Sequence, residues 1–183
     1  IVWTAVLVTA MLLVTGGWRE LRAFSLRTWG WMFACGVAIT INWGTYVIAI
    51  NSDHVADAAL GYFINPLVSV ALGIIFLKEK LTKAQVASVS IAFIAVLWLT
   101  FMTGQAPYYS LALAFSFGIY GLLKKRITVS SMGSVAAETL VMLPFALAYL
   151  GYLQAQGEST FTTEGAGHIA LLITSGLVTA LPL

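Results

Sequence analysis

Seven long apolar runs, at roughly residues 1–16, 28–50, 55–77, 84–102, 107–123, 134–153 and 168–183, are separated by short polar connections. Most of them approach the ~20 residues that a helix needs to cross ~30 Å of hydrocarbon. None alternates apolar and polar positions as the wall of a membrane barrel would, so strands are set aside. The connections hold the helix breakers: Gly16 and Gly17, the segment 51–54, the cluster 78–80, the segment 103–107 and the Gly/Ser/Thr-rich stretch 154–167. The first run is not read as a signal peptide. No basic region precedes it, and "GGWRELR" follows it as at the exit of a span. The pattern predicts an all-α polytopic membrane protein. Because the chain starts and stops inside apolar runs, it is expected to be a piece of a longer protein, of about seven helices.

Composition agrees with the pattern. The chain is 60% hydrophobic and 9% charged, against about 25% charged residues in an ordinary soluble domain. Lipid must therefore be the solvent for most of its surface. The apolar and aromatic content also excludes disorder. A net charge of +2 gives no reason to expect nucleic acid, and the single cysteine, Cys35, excludes an internal disulfide.

Charge then orients the spans. All nine basic residues lie in three connections: Arg19, Arg22 and Arg27; Lys78, Lys80 and Lys83; Lys124, Lys125 and Arg126. These follow the first, third and fifth runs, so alternate crossing places them on one face. The remaining connections carry Asp53, Asp57, Glu158 and Glu164 but no Lys or Arg. Cytoplasmic loops concentrate Lys and Arg, so segments 19–27, 78–83 and 124–130 are expected to be cytoplasmic, and 51–57 and 154–167 periplasmic. Trp18, Trp29 and Trp31 fall at the expected inner interface, and Trp98, Tyr108 and Tyr109 at the outer one.

Polar residues within the spans are the candidate chemistry. Asn65 and Pro66 lie near the middle of run 55–77, which is about 34 Å long as a helix. Pro66 lacks an N–H, so the Tyr62 carbonyl loses its helical donor and needs protein or a watery cavity beside it. Ala58, Tyr62, Asn65, Ser69 and Gly73 share a helical face. That face serves either close helix packing or a kinked helix lining a midplane substrate site. In run 28–50, Cys35, Ala38, Asn42, Thr45 and Ala49 form a second stripe, with Trp43 and Tyr46 beside it. An indole buried at mid-depth needs a partner or a cavity, and again both packing and cavity readings stand.

Glu138 is the one acid inside a span. An intramembrane carboxylate is a functional candidate by default, here for proton coupling. It sits near the start of its run, so complementing the helix N-terminus is the structural alternative. Pro144 in the same run removes the donor to the Leu140 carbonyl. Glu79, His54 and His168 read as solvated loop groups. No Gly-rich phosphate loop with a Lys, HExxH or GxSxG motif is present, so no enzyme, cofactor or metal is expected.

Several blocks resemble the EamA branch of the drug/metabolite transporter superfamily. They are "NWGTYVIAIN" at 42–51, "ALGYFINPLVSVALGIIFLKEKLTKAQ" at 59–85, "SFGIYGLLKKR" at 116–126, "ETLVMLPFALAYLGYL" at 138–153 and "GLVTALPL" at 176–183. The resemblance implies ten helices in two inverted five-helix halves, with both ends cytoplasmic. Residues 1–103 would be the first half without its first helix, and 104–183 the second half truncated after about three helices. It also implies a bacterial inner-membrane secondary transporter that exports a small amphipathic metabolite or drug, as a chloramphenicol-resistance-type permease would. The candidate substrate site is Asn42, Trp43, Tyr46, Tyr62, Asn65, Pro66, Ser69 and Glu138. A non-transporting scaffold or assembly subunit is the alternative. The expected partners are a small molecule and the lipid bilayer; the sequence carries no signal for an oligomeric state.

Overall fold

A computed structural model describes residues 1–103, 107–157 and 165–180. The described residues form eight helices: α1 (Val2–Thr15), α2 (Trp18–Arg22), α3 (Leu26–Asn51), α4 (Val55–Leu77), α5 (Lys83–Thr103), α6 (Tyr108–Lys124), α7 (Ser131–Gln156) and α8 (Ala166–Ala180). Seven correspond to the apolar runs. The eighth, α2, is a five-residue turn of helix too short and polar to register as a run. Four helices are long and apolar enough to cross a bilayer: Leu26–Asn51, Val55–Leu77, Lys83–Met102 and Ser131–Gln156. The 17 residues of α6 lie at the short end of the spanning range, roughly 17–25.

The breakers act where the polar connections placed them. Gly16 ends α1 and Gly157 ends α7, each in the left-handed conformation that a helix C-terminus favours. Lys78 ends α4 with the same geometry, at φ 54°. Pro66 and Pro144 both lie inside helices. α4 runs without interruption through Asn65 and Pro66. A spanning helix tolerates proline when its neighbours re-satisfy the freed backbone.

The chain packs as two compact units, residues 1–36 with 128–183, and residues 37–127. In the first, α1 packs on α7 and α8. Trp3 lies so close over Gly176 that a Cβ there would collide with its ring. Met142 of α7 crosses Gly36 of α3 with the same intolerance, since a Cβ at Gly36 would meet Met142 Cγ at 2.7 Å.

In the second unit α4 and α6 are the central pair. Small residues set their distance. Ser110, Ala114 and Gly118 recur at four-residue spacing along α6 and are buried, which is how helices approach closely when lipid supplies no hydrophobic drive. Leu60, Ile64, Val68 and Ala114 make one core cluster, and Ala49, Ala58 and Leu113 another. The Ser110 hydroxyl ties the two helices at one end by donating to the Asp57 carbonyl at 2.6 Å. The packed line of α4 is thus mostly aliphatic, and the Tyr62–Asn65–Ser69 stripe lies beside it rather than within it.

Candidate functional site

The stripe on α3 is a packing face with a polar centre. Cys35, Ala38 and Ala49 are buried along it. Within residues 37–127, Asn42 reaches α6, where its amide nitrogen donates to the Leu113 carbonyl at 2.9 Å and to the Ser116 hydroxyl at 3.0 Å. The Ser116 hydroxyl in turn donates to the Ala112 carbonyl, 2.7 Å away. A polar side chain in an apolar span is satisfied in this way across helices.

Next to this anchor is a cavity of about 90 Å³. From α3 it is lined by Ile39, Asn42, Trp43 and Tyr46, from α4 by Gly61, Tyr62 and Asn65, and from α6 by Leu113 and Phe117. Five of the eight sequence-derived candidates are therefore brought together: Asn42, Trp43, Tyr46, Tyr62 and Asn65. The three rings form a chain of edge contacts. Trp43 and Tyr46 have centroids 6.0 Å apart at 80°, and Tyr46 and Tyr62 are 6.3 Å apart at 72°. Such perpendicular pairs match the quadrupoles of the rings.

Trp43 is 53% exposed and Tyr62 62% exposed, so the indole is not enclosed in a packed core. The side chain borders an open cavity, so no partner is required for its N–H. Pro66 and Ser69 are not among the lining residues. Ser69 instead donates to the side-chain amide oxygen of Asn65 (Oδ1) at 3.3 Å, one turn along α4.

Glu138 belongs to the other unit. It lies about 10 Å along α7 from the first residue of that helix, is 6% exposed, and accepts a 2.7 Å hydrogen bond from Ser134. Ser134 also approaches the Met32 sulfur at 3.6 Å. The helix-terminus role weighed for Glu138 is filled by Glu20 of α2. Its carboxylate accepts from the Ser130 backbone N–H at 2.9 Å and from the Ser130 hydroxyl at 2.6 Å. The same hydroxyl accepts from Gly133 N–H at 2.9 Å, so Ser130 caps α7 while being held itself. Glu79 is a half-exposed loop charge that pairs with Lys125 at 2.8 Å.

Sequence reasoning missed the α6 wall, Leu113 and Phe117, and the Asn42 partner Ser116. The signal for α6 was available in the four-residue spacing of Ser110, Ala114 and Gly118, which marks it as a helix approached closely by another. Among the described residues no cluster of three or more His, Cys, Asp or Glu is placed to hold a metal.

Comparison with known proteins adds an independent line. Residues 1–101 match the EamA-like transporter family. Protein RarD of Streptomyces exfoliatus is 46% identical over 177 residues, covering 89% of this chain and 56% of that protein. The uncharacterized transporter YojE of Bacillus subtilis is 46% identical over 173 residues, 91% of this chain and 56% of that protein. The chloramphenicol-sensitive protein RarD of Pseudomonas aeruginosa is 30% identical over 188 residues, 99% of this chain and 62% of that protein. The chain thus spans less than two thirds of the length of these relatives. No solved structure matches it.

Proposed function

The chain belongs to the EamA-like transporter family, and from that premise we propose that the whole protein is an inner-membrane secondary transporter exporting a small amphipathic metabolite or drug. The observation that carries this reading is the cavity beside Asn42 and Asn65, with Asn65 at the middle of α4. Substrate sites of secondary transporters lie near the midplane, where polar groups within spans are otherwise hard to justify. A relative named for chloramphenicol sensitivity supports a drug-like substrate class. The proposal includes two inverted halves meeting near residues 103 and 104, with the basic connections cytoplasmic. It also includes proton coupling through Glu138, whose burial in a span makes it the natural carrier.

One observation favours the scaffold reading. Asn42 commits its amide nitrogen to Leu113 and Ser116, as a residue serving only helix packing would. A thermal-shift screen of the full-length protein separates the two readings, because a transporter gains stability with a saturating ligand and a scaffold does not. Metabolite efflux compared between cells with and without the full-length protein tests export itself; equal efflux would remove the transporter reading.

A further inference from the structure

Resting on the cavity reading above, we propose that this site selects uncharged aromatic compounds carrying an amide-like donor and acceptor pair, and rejects organic cations. Three features of the cavity lead to that class: its rings, its residual hydrogen-bonding capacity and its lack of charge.

Tyr46 stands between Trp43 and Tyr62, near-perpendicular to each. The cavity therefore offers ring edges as well as ring faces, and a planar aromatic guest meets both in the geometries that aromatic pairs prefer. The cavity is small, about 90 Å³, and open beside the exposed rings of Trp43 and Tyr62, so it takes part of an aromatic ring while the rest of the guest lies at its mouth.

The two amides offer opposite halves of a hydrogen-bonding pair. A primary amide has two N–H donors and a carbonyl acceptor. The Leu113 carbonyl can only accept, so the Asn42 nitrogen must face it, and the same nitrogen also donates to Ser116. What Asn42 has left is its carbonyl oxygen. Asn65 is the reverse. Its carbonyl accepts from Ser69, and its NH₂ has no partner among the described residues. An acceptor on α3 and a donor on α4, both lining one cavity, complement a ligand amide, lactam or carboxamide.

Charge decides between the two guests that aromatic walls attract. Ring faces draw cations, but a cation leaving water needs a counter-charge. Among the described residues no Asp or Glu lines the cavity. The acids of this unit are Asp53, Asp57 and Glu79; Asp53 precedes α4, Asp57 is in its first turn, and Glu79 lies beyond its end. A neutral guest pays no such penalty.

The test uses the purified full-length protein and three probes on one benzyl skeleton: neutral N-acetylphenylalaninamide, cationic phenylalaninamide and anionic N-acetylphenylalanine. Binding is measured by calorimetry. The neutral probe should bind at least tenfold more tightly than either charged one. Asn65→Leu should weaken it about tenfold, and Asn65→Asp should shift preference toward the cation. Tyr62→Ala should weaken every probe that uses the cavity. Equal or tighter binding of the cation, still sensitive to Tyr62→Ala, would overturn the ligand class and leave the cavity as the substrate site. Binding indifferent to both Tyr62→Ala and Asn65→Leu, or no binding of any probe, would overturn the inference; the former outcome would also remove the cavity from the proposed transport function.

Discussion

Glu20 and Ser130, 110 positions apart in sequence, are joined by two hydrogen bonds, one from the Ser130 backbone N–H and one from its hydroxyl. The N-terminus of α7 is therefore held by a carboxylate from α2 as well as by its own cap. Gly133 is part of the arrangement, because a Cβ there would lie 2.8 Å from the Glu20 carboxyl carbon.

Removing that carboxylate should loosen α7. Glu20→Ala is expected to lower stability by about 1–2 kcal/mol, the range for a lost helix cap or a stranded hydrogen-bonding group. Gly133→Ala should destabilise the wild type but add little in the Glu20→Ala background, since the clash partner is then absent. Melting curves of the full-length protein in detergent check both, and full additivity of the two changes would contradict the contact.

The α4–α6 crossing predicts intolerance at Gly61. A Cβ there would lie 3.1 Å from Leu113 Cβ and 3.2 Å from the Ser110 carbonyl oxygen. Backbone on one side leaves little room to yield, so Gly61→Ala should cost about 1–3 kcal/mol. Ligand affinity should fall with it, because Gly61 and Leu113 both line the cavity. A melting temperature unchanged from wild type would mean the helices separate more easily than this packing implies.

Asn65 and Pro66 should differ in kind. Asn65→Leu removes a cavity-lining amide and is expected to weaken substrate binding by about 1–3 kcal/mol with folding preserved. Pro66→Ala restores an N–H to the Tyr62 carbonyl, so stability should hold or rise while transport slows and affinity stays. Parallel binding and flux assays distinguish the two. Wild-type flux in the well-folded double variant would exclude both residues from the mechanism.

Glu138→Gln preserves volume and a hydrogen-bond acceptor for Ser134, so the protein should remain inserted and folded. Transport should lose its pH dependence if Glu138 carries the coupling proton. A uniform drop in rate with the pH profile intact would assign Glu138 a structural part.

Orientation can be read by cysteine labelling from outside intact cells. Native Cys35 is buried and should stay silent. Ser159→Cys is expected to react and Lys80→Cys to be protected. The opposite pattern would reverse the assignment of every loop.

Element positions were legible in the sequence, because the length of an apolar run limits a membrane helix directly. Run 55–77 and helix Val55–Leu77 coincide. Which face each helix buries was harder to read. In a soluble helix the apolar stripe marks the core. In lipid both faces are apolar, and transfer from lipid to protein gives little hydrophobic signal. That is why Leu60, Ile64 and Val68 form the buried line of α4 while the polar stripe attracted attention. The α3 stripe was readable because small residues flank Asn42. Pairings such as Glu20 with Ser130, or Glu79 with Lys125, depend on tertiary approach and left no local trace.

The close pairing of α4 with α6 carries a consequence for how the chain is made. All of α5 is synthesised between them, so α4 leaves the ribosome before its main partner exists. From Lys78 to Lys124 at about 5–20 residues per second, that interval lasts several seconds. Throughout it, the Gly61 notch and the Leu60–Ile64–Val68 line of α4 must be covered by lipid, by the insertion machinery or by α5 itself. Pairing of α4 with α6 therefore follows the synthesis of α5, and a slow codon or a helper protein acting between α5 and α6 would act on that step.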